Sequence, residues 1–196
     1  MRALKEGEVA MPRLFTGFEV PPDIAEQLAA VRGGLTGARW ITPDHYHVTL
    51  RFFGDIDGAT ARDIDAMLVL LDKPALRLTV TGLRIFGGER PRALVAEIES
   101  IPDLLEMQAE QERLVQRLGL PPETRKYAPH ITLARLRDVS AFQLAAFISS
   151  VGPVPKLAFT ADRYVMFSSR DSVGGGPYIV EADYPLGMCA DDHFAE

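Results

Sequence analysis

A four-residue pattern occurs twice in the chain, reading HVTL from His47 and HITL from His130. In a β-strand successive side chains point to opposite faces, so each histidine shares a face with the residue two positions later, Thr49 or Thr132. The apolar residues at the alternate positions share the other face, which suits a hydrophobic core. We therefore predict that each motif is a strand presenting an imidazole and a hydroxyl on one face.

Two imidazoles on either side of a phosphorus atom could act as an acid and base pair. A neutral ring would accept the proton of an attacking water and an imidazolium would protonate the departing oxygen; a pKa of about 6.5 allows both forms near neutrality. The hydroxyls of Thr49 and Thr132 could donate to phosphate oxygens. An arginine fork could hold the added charge, and Arg135, in a basic cluster around the second motif, is our candidate.

A metal site is the main chemical alternative, because His45 and His47, with Asp44 and Asp55 nearby, could supply nitrogen and oxygen ligands. The second motif has no neighbouring histidine or carboxylate, and Asp44 lies in a turn sequence. We therefore predict no metal and no cofactor. A purely structural use of the motif histidines in a core is a further alternative, but it leaves the duplicated threonine unexplained.

Composition restricts the class of protein. The chain has 196 residues, 47% of them hydrophobic and 24% charged, as in globular domains. Its net charge of −6 argues against a protein that binds long stretches of nucleic-acid backbone. There is one cysteine, so no internal disulfide is expected. No segment has the pattern of a membrane span or a secretion signal, and we predict a cytoplasmic protein that is a monomer and does not bind membranes.

Periodicity predicts the element order β-α-β-α-β-β-α-β-α-β-β-β, which is typical of an α+β fold with antiparallel sheets. Each half has a histidine-bearing strand followed by a helix. We predict a bilobal architecture: two pseudo-symmetric antiparallel sheets, helices on their outer faces and a central cleft carrying both HxTL motifs. Residues 11–188 would form this single domain, between a disordered extension at 1–10 and a polar tail at 189–196. The motif strands are predicted over 45–54 and 130–136.

The motifs resemble those of the 2H phosphoesterase superfamily, which is marked by a pair of H-x-[ST]-x strands. Within it the chain is similar to the bacterial and archaeal RNA 2′,3′-cyclic phosphodiesterases, also called the 2′-5′ RNA ligase family. The likeness covers the chain from Met11 to about Leu186. Besides the two motifs it includes RLF from Arg13, WITP from Trp40, the arginine five residues after the second histidine, and FSS from Phe167.

The resemblance implies hydrolysis of a 2′,3′-cyclic phosphate on an RNA 3′ end or a small nucleotide, without metal, leaving a 2′-phosphate. By the same likeness His130 would activate water and His47 would protonate the leaving 3′ oxygen. Thr49, Thr132 and Arg135 match phosphate-contacting positions. Formation of a 2′-5′ linkage is implied only as a weak reverse activity.

Two further residues are candidate substrate contacts. Arg51 follows the first motif directly, and Tyr127 stands three residues before His130, where the family commonly has phenylalanine. A second departure is the pair His45-Tyr46, which precedes the first motif where Asn-Leu is usual. A module that binds nucleotides or RNA ends without turnover, and a phosphodiesterase acting on small cyclic nucleotides, are the alternative functions.

Overall fold

The computed structural model describes residues 13–169 and 177–187. Within those ranges the strands are β1 Arg13–Glu19, β2 Ala38–Trp40, β3 His47–Asp55, β4 Leu76–Phe86, β5 Ala93–Ile98, β6 His130–Leu136, β7 Leu157–Ala161, β8 Arg163–Ser169 and β9 Tyr178–Pro185. The helices are α1 Pro22–Ala29, α2 Gly58–Leu68, α3 Pro102–Arg117 and α4 Ala141–Val151. The predicted extension at 1–10 and the predicted tail at 189–196 lie outside the described residues.

The strands form two halves that meet at one point. One half has the order β7-β4-β5-β6, with β2 also on β6, and the other has the order β3-β1-β8-β9. All pairings between these strands are antiparallel, and β3 meets β6 through the pair Val48 and Ile131. The predicted α+β fold with antiparallel strands is confirmed, but the two predicted sheets are joined by this pair of residues into one nine-stranded sheet.

The core lies between one face of this sheet and the helices. Val48, Leu50, Ile131 and Leu133, the apolar residues of the two motifs, are all buried in it. They share a cluster with buried residues of α1, α2 and α3, whereas α4 packs on a second cluster with parts of β5 and β6. Alternation then turns the histidines and threonines of both motifs to the opposite face of the sheet.

Local capping signals determine where the helices start. Asp57 accepts hydrogen bonds from the backbone of Ala59 and Thr60 at 2.8 and 2.9 Å before α2, and Ser140 and Gln143 form a capping box before α4. Such a cap contributes about 1 kcal/mol. Helix α1 and helix α3 each begin with a proline, which the first turn tolerates because its N–H has no partner within the helix.

Each motif strand contains a β-bulge three residues after its histidine. Opposite β1, Thr49 pairs with Gly17 and Arg51 with Thr16, so Leu50 is the extra residue. Opposite β5, the pairing passes from Thr132 to Ala134 and skips Leu133 in the same way. A bulge places two consecutive side chains on one face and reverses the alternation that follows. Glycine is needed at position 17, where a Cβ would lie 2.6 Å from the Val48 carbonyl oxygen.

Three element predictions differ from the structure. The first motif strand, predicted over 45–54, spans His47–Asp55, because Pro43–His45 form a short 3-10 turn before it. Apolar residues at helical spacing predict a helix over 59–73, but the helix ends at Leu68, whose carbonyl accepts a hydrogen bond from the hydroxyl of Tyr164 at 2.8 Å. Periodicity does not predict strand β2, because its three residues gain their strand character only from pairing with β6. Among the described residues, no helix combines the length and apolarity that crossing a bilayer would require.

Candidate active site

The sheet face opposite the helices carries a cleft of about 1150 Å³, and the side chains of His47, Thr49, His130 and Thr132 all line it. Their arrangement follows from the pairing of Val48 with Ile131. Continuing this antiparallel register by one residue in each direction places His47 beside Thr132 and Thr49 beside His130. The two histidines are then diagonal neighbours, close enough for the charge of His130 to lower the pKa of His47. The predicted convergence of both motifs on one cleft is what the structure shows.

Both imidazoles are oriented by the same backbone contact. His47 Nδ1 lies 2.8 Å from the carbonyl oxygen of His45, and His130 Nδ1 lies 2.7 Å from that of Ala128. A carbonyl can only accept, so Nδ1 carries the proton in each ring and Nε2 is the atom with the available lone pair. Each Nε2 can therefore accept a proton as a base, or donate one once the ring is charged.

Burial holds both rings in the neutral form in the free protein. It lowers the pKa of His47 to about 4, against the hydrogen bond to His45, which raises it; the charges of His130 and Arg135 lower it further. The pKa of His130 is also lowered by burial, again opposed by its carbonyl contact and assisted by Arg135 and Arg125. The site at neutral pH is therefore two neutral imidazoles beside a cation.

Arg135 lies on the cleft face because of the bulge at Leu133. Simple alternation from His130 would turn a residue five positions later to the core, but the reversal brings Arg135 to the side of His130 and Thr132. It lines the cleft, and its charge acts on both motif histidines. Among the described residues it has no ion-pair partner, so it is available to an anion bound between the rings.

Aromatic rings surround the histidines, and the residue-by-residue reading of the sequence did not find them. Phe15, Phe167 and Tyr178 lie 5.0, 5.5 and 4.9 Å from His47, centre to centre. Phe86 lies edge-on to His130 at 4.7 Å. These rings come from four different strands, so only the folded sheet brings them together. By packing against the imidazoles they contribute to the burial that lowers both pKa values.

The structure does not support Arg51 as a substrate contact. The bulge at Leu50 turns its side chain to the helix side, where its Nε lies 2.5 Å from Glu112 Oε2 on α3. Its guanidinium is buried by this pair, the exposed fraction of the side chain being 8%. Phe52, the next residue, takes the cleft-facing place and is half exposed. Arg51 reaches the margin of the cleft, but each of its three guanidinium nitrogens already contacts an acceptor within the protein: Glu112, the Phe52 carbonyl or the Pro121 carbonyl.

The hydroxyl of Tyr127, the other candidate substrate contact, donates to the backbone carbonyl of Thr49 at 3.0 Å. Burial raises its pKa above the usual range, so it remains a neutral donor. Tyr127 lines the cleft but its polar atom is used within the protein. The tyrosine thus ties the segment before the second motif to the strand of the first.

The residues of the alternative metal site do not form a cluster. Asp55 is paired with Arg13 at 3.1 Å, and His45 directs its ring toward Tyr178, 5.6 Å away. Within residues 13–169 and 177–187 no group of three or more histidine, cysteine or acidic side chains is arranged to hold a metal ion.

Comparison with known proteins places the chain among phosphoesterases. The model of the LigT-like phosphoesterase family matches residues 18–96 and 98–178. The chain belongs to this family, and each of the two matched segments contains one of the HxTL motifs.

Similar proteins carry a common description. The chain is 26% identical over 183 residues to the RNA 2′,3′-cyclic phosphodiesterase of Aquifex aeolicus, covering 89% of this chain and 97% of that protein. It is 30% identical over 130 residues to the Bacillus subtilis protein of the same name, covering 63% of this chain and 71% of the relative.

Solved structures agree with the fold. The crystal structure of E. coli LigT complexed with 3′-AMP superposes with a TM-score of 0.73 at 21% identity, covering 89% of this chain and 98% of that one. The crystal structure of TT0787 of Thermus thermophilus gives a TM-score of 0.74 at 21% identity, covering 90% and 98%. At such identities the likeness concerns architecture alone.

Proposed function

We propose that this protein is a metal-independent RNA 2′,3′-cyclic phosphodiesterase. It would hydrolyse a terminal 2′,3′-cyclic phosphate to a 2′-phosphate, with 2′-5′ ligation as a weak reverse reaction. The observation that carries the proposal is the matched pair of imidazoles, His47 and His130, each held by Nδ1 with Nε2 available and both beside the charge of Arg135. The names of the family's relatives support the same substrate chemistry.

The proposed reaction needs one proton in and one proton out. A water oxygen attacks phosphorus while the base imidazole removes its proton, the bond from phosphorus to O3′ breaks, and the acid imidazole protonates O3′. The family resemblance makes His130 the base and His47 the acid. Thr49, Thr132 and Arg135 would donate to the non-bridging oxygens, whose negative charge grows in the five-coordinate transition state.

The substrate's own charge can supply the imidazolium that the reaction needs. For His47 to act as an acid near pH 7, its pKa must rise from about 4, which corresponds to a coupling of about 4 kcal/mol. A unit negative charge about 4 Å away contributes about 4 kcal/mol at an effective dielectric constant of 20. A phosphodiester anion between the rings is therefore sufficient to place a proton on the pair.

The pH dependence of kcat/KM should consequently differ from that of kcat. Because kcat/KM reflects the free protein, in which both histidine pKa values are lowered, it should peak below about pH 6.5 and fall about tenfold per pH unit on the alkaline side. The optimum of kcat should lie at higher pH, since the bound anion raises both pKa values. Steady-state kinetics from about pH 4.5 to about pH 9 would measure this, and coincident profiles would contradict it.

The cleft favours an RNA end over a mononucleotide. Its volume of about 1150 Å³ exceeds the usual upper range for a small-molecule site, about 1,000 Å³. Arg92 and Lys126 line it and have no ion-pair partner among the described residues, although the whole protein has a net charge of −6. Phe52 presents a half-exposed ring on the same face. A few cations and one ring suit one or two nucleotides next to the cyclic phosphate.

The test is product analysis on oligonucleotides of one to six nucleotides that end in a 2′,3′-cyclic phosphate, using protein from which metal ions have been removed with EDTA. We expect complete conversion to the 2′-phosphate, identified by chromatography and ³¹P NMR, and insensitivity to EDTA. Tight binding with unchanged substrate would indicate a binding module. Turnover limited to the mononucleotide would indicate a small cyclic-nucleotide phosphodiesterase, and activity that chelation removes and Zn²⁺ or Mn²⁺ restores would overturn the metal-independent mechanism.

A further inference from the structure

The buried ion pair between Arg51 and Glu112 lies beneath the cleft and has no role in the chemistry proposed above. Arg51 Nε and Glu112 Oε2 are 2.5 Å apart, and their side chains are only 8% and 16% exposed. Within the described residues neither of these two atoms has a hydrogen-bond partner, so their contact is an ion pair without hydrogen-bond geometry. A buried pair of this kind is poor evidence of stabilisation, because desolvation offsets its Coulomb energy. Its other contacts indicate what it does.

Both partners also hold the segment that precedes the second motif. Arg51 Nη2 donates to the Pro121 carbonyl at 2.7 Å, and Glu112 Oε1 accepts from the Glu123 backbone N–H at 3.0 Å. Further along, the hydroxyl of Tyr127 binds the Thr49 carbonyl. Residues 120–129, which we call the approach loop, are thus fixed at three points, two of them provided by strand β3.

The approach loop ends at the group that orients the second histidine. The Ala128 carbonyl, near the end of the loop, accepts the Nδ1 proton of His130 at 2.7 Å. The corresponding acceptor for His47 is the carbonyl of His45, which lies in a short 3-10 turn between β2 and β3 and is separate from the approach loop. Displacement of the approach loop would therefore release His130 and leave His47 in place.

We propose that the Arg51–Glu112 pair is a positioning device that holds the approach loop so that His130 keeps its Nδ1–H tautomer, with Nε2 toward the cleft. The bulge at Leu50 makes this possible, since it turns Arg51 from the cleft to α3. The equivalent position in the second motif, four residues after His130, is Ala134. The second motif strand therefore has no arginine at this position. A residue of the first motif strand thus helps to orient the histidine of the second.

The inference rests on the proposed function for its kinetic consequence, but its structural part is measured independently. The chain has four histidines, so ¹⁵N-histidine NMR at neutral pH can resolve each ring and report which nitrogen is protonated. In the unaltered protein both motif rings should show the Nδ1–H tautomer. In Arg51→Gln the Nε2–H tautomer of His130 should become substantially populated, while His47 should be unchanged.

A double variant separates positioning from stability. Replacing a buried ion pair by apolar residues is often neutral for folding, so Arg51→Met with Glu112→Leu should unfold near the normal temperature. It nevertheless lacks both loop contacts, and we expect the same change in the His130 tautomer and a fall in kcat of about 10–10²-fold, with KM within about threefold. Arg51→Lys, which keeps the charge near Glu112, should recover part of the loss.

Glu110→Gln is the matched control. Glu110 lies on α3, the same helix as Glu112, and forms an ion pair with Lys73 at 2.5 Å. It makes none of the contacts that hold the approach loop. The control variant should leave the His130 tautomer and kcat unchanged. An unaltered His130 tautomer in both Arg51→Gln and the Arg51→Met, Glu112→Leu double variant would overturn the inference, and a raised KM with normal kcat in them would make Arg51 a substrate contact instead. If no variant, nor the unaltered protein, turns over cyclic phosphates, the proposed function fails, while the NMR result still decides the positioning role.

Discussion

Replacing His47 or His130 by alanine is expected to lower kcat on a 2′,3′-cyclic phosphate oligonucleotide by about 10²–10⁴-fold, since each ring contributes one proton transfer. Nε2 of each ring is the atom turned to the cleft, while Nδ1 is bound to a backbone carbonyl. The two losses should be far from additive, because each single variant already lacks a complete acid and base pair. Rapid-quench or steady-state kinetics on both single variants and the double variant would measure this.

His45→Ala is the natural comparison for these variants. It removes an imidazole from the same cleft but retains the backbone carbonyl that orients His47. We expect it to cost less than about tenfold in kcat. Circular dichroism and thermal unfolding would show that all variants remain folded. A rate near that of the unaltered protein in either motif variant would refute the acid and base pairing, and a large loss in His45→Ala would bring back the metal-ligand alternative.

Arg135→Ala should produce the second large effect, an overall loss of about 10²–10³-fold in kcat/KM. The guanidinium lies beside both imidazoles and has no ion-pair partner within the described part of the chain, so its charge is available to the phosphate. Both KM and kcat should change, because the same fork would hold the ground-state anion and the more highly charged transition state. Kinetics and the affinity for inorganic phosphate would measure the two contributions.

The same variant should also alter the pH dependence. Arg135 lowers the pKa of both motif histidines, so removing its charge should raise both values and move the kcat/KM optimum to higher pH. Arg137→Ala is the control, because Arg137 is exposed and lies beside Asp138, outside the cleft. If the Arg135→Ala protein kept normal phosphate affinity and an unchanged pH optimum, the proposed role of Arg135 in phosphate binding would be refuted.

Alternation along the two motif strands is sufficient to predict the histidines and threonines of the site but not the residues after them. His47, Thr49, His130 and Thr132 lie on the cleft face as period-two reasoning requires. Beyond each motif the alternation reverses, and Arg51 is on the helix side although simple alternation predicts the cleft. For Arg135 the reverse holds: alternation predicts the core, whereas the family resemblance indicates the cleft, where the structure has it.

The reason is that a bulge depends on the partner strand. Leu50 and Leu133 are ordinary buried leucines whose local sequence contains no sign of an extra residue. The irregularity arises because residues 16–17 and 94–95, distant in the chain, pair with non-consecutive residues. The rings around His47 escape prediction for a related reason, since they converge only after the strands that carry them have assembled.

Within the described part of the chain, strands β3 and β6 are paired only at Val48 and Ile131, and this has a consequence for the whole molecule. Each half of the sheet is extensively bonded within itself, while the two histidine rings belong to different halves. A bound phosphate that engages both rings would therefore act as a bridge across the seam, adding cohesion where the main chain contributes least. The alignment of the two halves, on which catalysis depends, would then be stabilised in part by the bound substrate.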